Sequence, residues 1–169
     1  FKAQDQQAHQ GEPAIIAGLT QAIIHDYQAD KQRVYIAGLS AGGAMAAIMG
    51  ATYPKLYAAV GVHSGLAVGS ATNVISALAA MSKGSCRVKE ITQNSASFVP
   101  TIVFHGDSDS VVHLRNGEQV YAQAEQRLKA SNDDYFNDSA FQLEQEQIKS
   151  QQGRSYTRSC LNDTQGLAH

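Results

Sequence analysis

Arg33-Val34-Tyr35-Ile36-Ala37-Gly38-Leu39-Ser40-Ala41-Gly42-Gly43-Ala44-Met45-Ala46 is the stretch on which the fold turns. Val34 to Ala37 is short, apolar and β-branched, and reads as a buried strand. Ala44 to Tyr53 reads as a helix, rich in small residues, anchored by Met45, Ile48 and Met49, and stopped by Pro54. Gly38 to Gly43 must then be a tight turn between them. Its Gly-x-Ser-x-Gly pattern is weak by itself and gains meaning from the strand before it and the helix after it. Such a turn lifts the Ser40 hydroxyl clear of the sheet. Gly38 and Gly42 are expected to be small because neighbouring backbone crowds the turn, and Gly43 and Ala44 let the helix approach the strands. The helix N-terminus turns its partial positive charge toward the reacting group. The Ala41 N–H is then a natural oxyanion donor. The rival reading is a strand–turn–helix with an incidental serine.

Working outward, Pro13 opens a helix that should end near Ala29, with Ile15, Ile16, Leu19, Ile23, Ile24 and Tyr27 at helical spacing on one face. On the other side, Ala58 to Val62 and Thr101 to His105 read as strands, and Val74 to Met81 as a short helix. Asn116 and Gln119 have the spacing of an N-terminal cap pair, and Val120, Ala124 and Leu128 continue an amphipathic helix. Helices and strands alternate, which predicts an α/β fold with a mostly parallel sheet and helices on both faces. Residues 131–153 break the pattern and read as a surface insertion, or as a flap that meets substrate through Tyr135, Phe136 and Phe141. Arg154 to Cys160 alternates weakly, as an edge strand does.

The bulk properties bound the function. The 169 residues suit one domain, 1–169, and a hydrophobic fraction of 43% suits a real core. Thirteen basic against fifteen acidic residues give a net charge of −2, so there is no electrostatic case for nucleic acid or an anionic membrane as partner. No apolar run approaches the roughly 20 residues of a membrane span. The chain opens at Phe1 with no signal peptide, so an upstream segment is expected to be processed away or missing. Cys86 and Cys160 lack the spacing of a zinc site; they either pair or stay apart. No metal or organic cofactor is expected.

His105-Gly106-Asp107-Ser108-Asp109-Ser110-Val111-Val112 follows a predicted strand directly. A Ser–His pair needs a carboxylate to hold the imidazole tautomer, and in an α/β-hydrolase that acid follows a later strand. Asp109, in the spacing Gly-x-x-Asp-x-x-Val, is favoured over Asp107, which suits a bond within its own turn. Ser64, in Gly61-Val62-His63-Ser64-Gly65, has the wrong glycine spacing for an elbow. The order Ser, acid, His excludes His9 and His25. His63, His105 and His113 read as pocket or turn residues. His169 fits the order but follows a polar stretch with nothing to position it.

With these residues in view, the chain resembles the polyhydroxybutyrate-depolymerase-type esterases. The likeness is carried by Gly11-Glu12-Pro13 with Ile15 to Thr20, by Arg33 to Ala46, by Tyr57 to Leu66 and by Pro100 to Asp107; it runs from about Gly11 to Leu128. The resemblance implies a secreted carboxylic-ester hydrolase of α/β-hydrolase fold, extracellular or periplasmic, acting on polyhydroxyalkanoates or on feruloyl and acetyl esters. It carries nucleophile and acid onto Ser40 and Asp109. The upstream strands and the His-Gly oxyanion loop of the family have no counterpart before Phe1. The chain has no Trp, so the Gly-x-Gly-His-x-Trp-like segment with the catalytic histidine is absent too. The expectation is a partial domain, incomplete at both ends, in which Val34 to Ala37 is left as an open edge. The competing function is a non-catalytic fragment or relative that only binds an ester or polymer surface.

Overall fold

A computed structural model of the chain describes residues 2–86, 98–131 and 141–163. It forms two compact units, Phe1–Ser131 and Asn132–His169.

In the first unit, strands β1 (Tyr35–Leu39), β2 (Ala59–His63) and β3 (Thr101–Phe104) form a parallel sheet in the order β1-β2-β3. Helices α1 (Gly11–Asp26), α2 (Ala41–Thr52), α3 (Val74–Lys83) and α4 (Arg115–Ala130) alternate with them. The register sets Leu39 opposite His63 and His63 opposite Phe104, so all three strands end at one level. That level is where an open parallel sheet binds its ligands. Ile36, Val60, Val62 and Val103 pack against Ala46 and Ala47 of α2 and Val120 of α4. Full burial of a valine such as Val60 or Val62 stabilises the fold by roughly 1.5–3 kcal/mol.

The α/β class and the parallel sheet are those expected. Among the described residues, the core of this sheet lies on one face. The opposite face shows Tyr35, Leu39, Ile102 and Phe104, all more than half exposed. The second layer of helices expected from the sequence is not seen there. In this sheet β1 is an edge strand, paired with β2 alone.

The helix α1 corrects a simpler expectation. Its apolar residues form two stripes. Pro13, Ala17 and Ile24 are buried, with Ala17 packed beside Met49 and Tyr57, whereas Ile15, Leu19, Ile23 and Tyr27 are exposed. The predicted single face mixed the two.

The helix α2 begins at Ala41, not Ala44, because the Ala44 N–H already donates to Ser40 O at 3.0 Å and closes the first turn. The expected cap pair of α4 is also overturned. Asn116 and Gln119 turn inward with Gln123. The Asn116 amide donates to Ala80 O, Met81 O and His113 O; the Gln119 amide grips the backbone of Ser85, and that of Gln123 the backbone of Val68. A capping box does occur, at Asn73 and Ser76 on α3.

The second unit holds β4 (Phe141–Lys149) and β5 (Ser155–Asp163), paired antiparallel as a two-stranded sheet of their own. The surface insertion and the edge strand expected from the sequence are therefore the two arms of one hairpin. Tyr135 and Phe136, the other aromatics of the expected flap, lie outside the described residues.

Candidate active site

Ser40 sits between β1 and α2, half-buried, with φ 56° and ψ −118°. A side chain is rarely held at such a positive φ unless its surroundings dictate it. The Ser40 N–H donates to His63 O at 2.9 Å, tying the turn to the end of β2. A Cβ built on Gly38 would lie 2.1 Å from Gly42 O, so only glycine allows the turn to close. The expectation for Gly42 was wrong: a Cβ there meets nothing within 4 Å. The crowded partner is Gly43, where a Cβ would approach Gly38 O, His63 O and the Gly65 Cα. Ala41 is exposed and is the first residue of α2, so its N–H has no acceptor within the helix. The Ser40 side chain makes no capping bond.

Asp109 sits in the turn that follows β3. Its Oδ1 accepts from the Val111 and Val112 N–H groups, both at 2.9 Å. Asp107 instead accepts from its neighbour Ser108. The Val112 N–H, then the Val111 N–H, then the Ser64 hydroxyl hold the Asp109 carboxyl below the usual carboxylate range, with a smaller push from His105. Hydrogen bonds of this kind favour the charged form.

Ser40 and Asp109 thus leave the same edge of the sheet, two strands apart. At about 4.8 Å per strand their roots lie on the order of 10 Å apart, a gap that an imidazole bonded at both nitrogens can span. Among the described residues, no histidine hydrogen-bonds to either side chain. The His105 ring is buried, its Nε2 lies 2.7 Å from Val112 O and 3.8 Å from Asp109 Oδ2, and it rests on Gly117. A carbonyl only accepts, so that nitrogen carries the proton and His105 serves the turn. His63 is exposed and stacks on Phe104. His113 Nδ1 accepts from the Arg115 N–H, His9 packs on Tyr53, and His25 pairs with Asp26. His169 lies outside the described residues.

The structure also brings in a residue the sequence had set aside. Ser64 is buried at the end of β2 and has φ 46°. Its neighbour Gly65 has no room for a Cβ, which would lie 2.8 Å from Gly43 C. No group of three or more His, Cys, Asp or Glu able to hold a metal occurs among the described residues. Cys86 is exposed, Cys160 is half-buried, and both are free thiols. The cavity lined by Ala47, Val60, Val99, Val120 and Arg127 is about 20 Å³ and reaches neither Ser40 nor Asp109. It has room for a water, not a substrate.

The profile of a family described as esterase PHB depolymerase matches residues 2–139. The chain belongs to that family. The chain is 36% identical over 132 residues to poly(3-hydroxyalkanoate) depolymerase C of Paucimonas lemoignei, across 73% of this chain and 32% of that protein. It is 44% identical over 54 residues to acetylxylan esterase A of Aspergillus ficuum, across 32% of this chain and 18% of that one. Among solved structures, the acetyl xylan esterase from Aspergillus awamori superposes with a TM-score of 0.67 at 20% identity, over 99% of this chain and 63% of that one. That likeness is one of fold. The chain spans less than a third of the length of these two sequence relatives.

Proposed function

We propose that this chain carries the nucleophile and the acid of a secreted serine carboxylic-ester hydrolase. Ser40 Oγ attacks the ester carbonyl while its proton passes to a histidine supplied from outside the described residues. Asp109 holds that imidazole in the correct tautomer and offsets the charge it gains. The Ala41 N–H, at the positive end of α2, stabilises the oxyanion of the tetrahedral intermediate. The imidazolium returns the proton to the departing alcohol, and an acyl-serine remains. Water, deprotonated by the same imidazole, then releases the acid and restores Ser40. No step calls for a metal or an organic cofactor.

One observation carries the reading. Ser40 is held at positive φ in a turn that a single Cβ at Gly38 would break, and a strained, polar residue kept at a strand end points to function. Family membership supports ester chemistry. The relatives' names, acetylxylan esterase, poly(3-hydroxyalkanoate) depolymerase and feruloyl esterase, share the cleavage of a carboxylic ester, so a small ester or polyester is the substrate class we assign.

The test uses the protein as the cell makes it, with p-nitrophenyl butyrate as substrate. Ser40→Ala should lower kcat by at least about 10³-fold and abolish labelling by a fluorophosphonate, and Ser64→Ala should leave labelling detectable. Equal turnover by parent and Ser40→Ala would refute the assignment and leave a non-catalytic, ester-binding relative.

A further inference from the structure

We propose that His105 is the positioning residue of the acid: from just past the end of β3, its imidazole holds the Val112 carbonyl and so fixes the far end of the turn whose N–H groups bind the Asp109 carboxylate. The proposal deepens the esterase reading above and rests on it.

The first observation is how the turn is closed. Asp109 Oδ1 accepts from the Val111 and Val112 N–H groups, each at 2.9 Å. Those bonds fix the carboxylate relative to residues 111 and 112, and a further tie must fix these relative to the sheet. His105 Nε2 lies 2.7 Å from Val112 O, and because a carbonyl only accepts, the ring N–H donates. That bond joins the residue after β3 to the far end of the turn. The same nitrogen is 3.8 Å from Asp109 Oδ2, too far for a hydrogen bond. His105 therefore reaches the acid through Val112.

The second observation is what the fold concedes to keep an imidazole here. The His105 side chain is 4% exposed, and its Nδ1 has no hydrogen-bond partner among the described residues. A buried polar atom without a partner costs stability, and an apolar side chain would fill the same space without one. α4 also carries Gly117 against the ring, where a Cβ would lie 2.7 Å from Nδ1 and 3.0 Å from the His105 Cβ and Cγ. Glycine is a poor helix residue, and at this place it makes room for the imidazole. The Nε2 bond is the one contact of the ring that an apolar residue could not replace.

The third observation is continuity with the nucleophile. Val112 is 2% exposed and shares a buried cluster with Ala44 of α2, Leu66 and Ala80. The Ala44 N–H donates to Ser40 O at 3.0 Å. The residue that His105 holds thus packs in one cluster with the residue that closes the turn of Ser40. A catalytic constellation must hold its geometry to about 0.5 Å, and a misplacement of about 1 Å can cost 10²-fold in rate.

The experiment is run on the natural full-length protein. His105→Leu removes the donor; His105→Gln returns an N–H donor near the place of Nε2; Gly117→Ala pushes a methyl against the ring from α4. In His105→Leu, kcat for p-nitrophenyl butyrate should fall by about 10- to 100-fold, with KM within about two-fold of the parent. His105→Gln should recover most of that loss, and Gly117→Ala should lower kcat by at least about three-fold although alanine suits the helix. The ¹³C carboxyl titration of Asp109 should move upward in His105→Leu, as its two N–H bonds loosen, and return in His105→Gln. A folded His105→Leu protein with turnover within about two-fold of the parent, a His105→Gln protein as slow as His105→Leu, or an Asp109 titration that stays in place would overturn the proposal. Should His105→Leu fail to fold, Gly117→Ala decides, and turnover at the parent rate would overturn it. A Ser40→Ala control that hydrolyses as fast as the parent would sink the esterase reading, and with it any catalytic role for His105. The Asp109 titration would then still report whether His105 holds the acid's turn.

Discussion

The two glycines that flank Ser40 in its motif should respond to alanine with opposite signs. In Gly38→Ala the new Cβ would lie 2.1 Å from Gly42 O and 2.2 Å from Gly42 C. Ordinary contact begins near 3.4 Å, so the turn would have to open by about 1.3 Å. The obstacle is backbone, which cannot swing aside as a side chain can. Opening it would loosen the Ser40 N–H bond to His63 O and the Ala44 N–H bond to Ser40 O. Two hydrogen bonds at about 0.5–1.5 kcal/mol each, with an overpacking cost of about 1–3 kcal/mol, place the loss at about 2–6 kcal/mol. That is a large share of a typical domain's stability of about 5–15 kcal/mol. Gly42→Ala meets open space in the first turn of α2 and removes a poor helix former, so it should gain about 0.5 kcal/mol. Urea unfolding of the natural protein reads both, as shifts in midpoint at constant slope. A Gly38→Ala protein within about 1 kcal/mol of the parent, or a Gly42→Ala protein destabilised by more than that, would refute the steric account.

Three further outcomes follow from the same structure. The Asp109 carboxyl is held below its unfolded value of about 3.9, so its contribution to stability is complete above that pH and drains away as pH falls through the folded value. The stability gap between parent and Asp109→Asn should therefore be widest at neutral pH and close below about pH 4; a gap that widens on acidification would contradict the assignment. In the active protein the same substitution should lower kcat by about 10⁴-fold through the lost tautomer, with Asp107→Asn costing far less, and the reverse order would make Asp107 the acid. Asn116→Asp points an oxygen at the carbonyls of Ala80, Met81 and His113 in a site with no exposure; it should cost about 3–5 kcal/mol as an uncompensated buried group, and a change under 1 kcal/mol in denaturant would show that the clamp is dispensable.

Local pattern carried the sequence reading a long way. Strand, turn and helix around Ser40 were legible because apolar runs and glycines punctuate them within a dozen residues. The turn of Asp109 was legible for the same reason. What escaped depends on partners far along the chain. Nothing beside Gly42 says that its space is open, or that Gly43 is crowded by Gly65, more than twenty residues on. Asn116 and Gln119 have the spacing of a cap pair, yet with Gln123 they fall at i, i+3 and i+7 on the stripe that also holds Val120. Polar residues in register with apolar ones are the signal that could have exposed them. α1 failed in the opposite sense, being apolar on two stripes when only one is covered. Ser64 was set aside because its glycines do not form an elbow; its own positive φ is visible only in the backbone.

The crowding around Gly43 and Gly65 also limits what sequence comparison can reveal. A Cβ on Gly65 would lie 2.7 Å from a Val62 methyl and 2.8 Å from Gly43 C, and one on Gly43 would press on Gly38 O, His63 O and the Gly65 Cα, so both positions have little freedom to change. Coupling between columns of an alignment arises only where paired changes are allowed. This contact allows few, and this close approach of α2 to the end of β2 should leave little covariation. An alignment of many relatives would show two columns dominated by glycine and a coupling score near zero between them. Methods that infer proximity from correlated change would then be blind at a contact that seats α2 beside the end of β2.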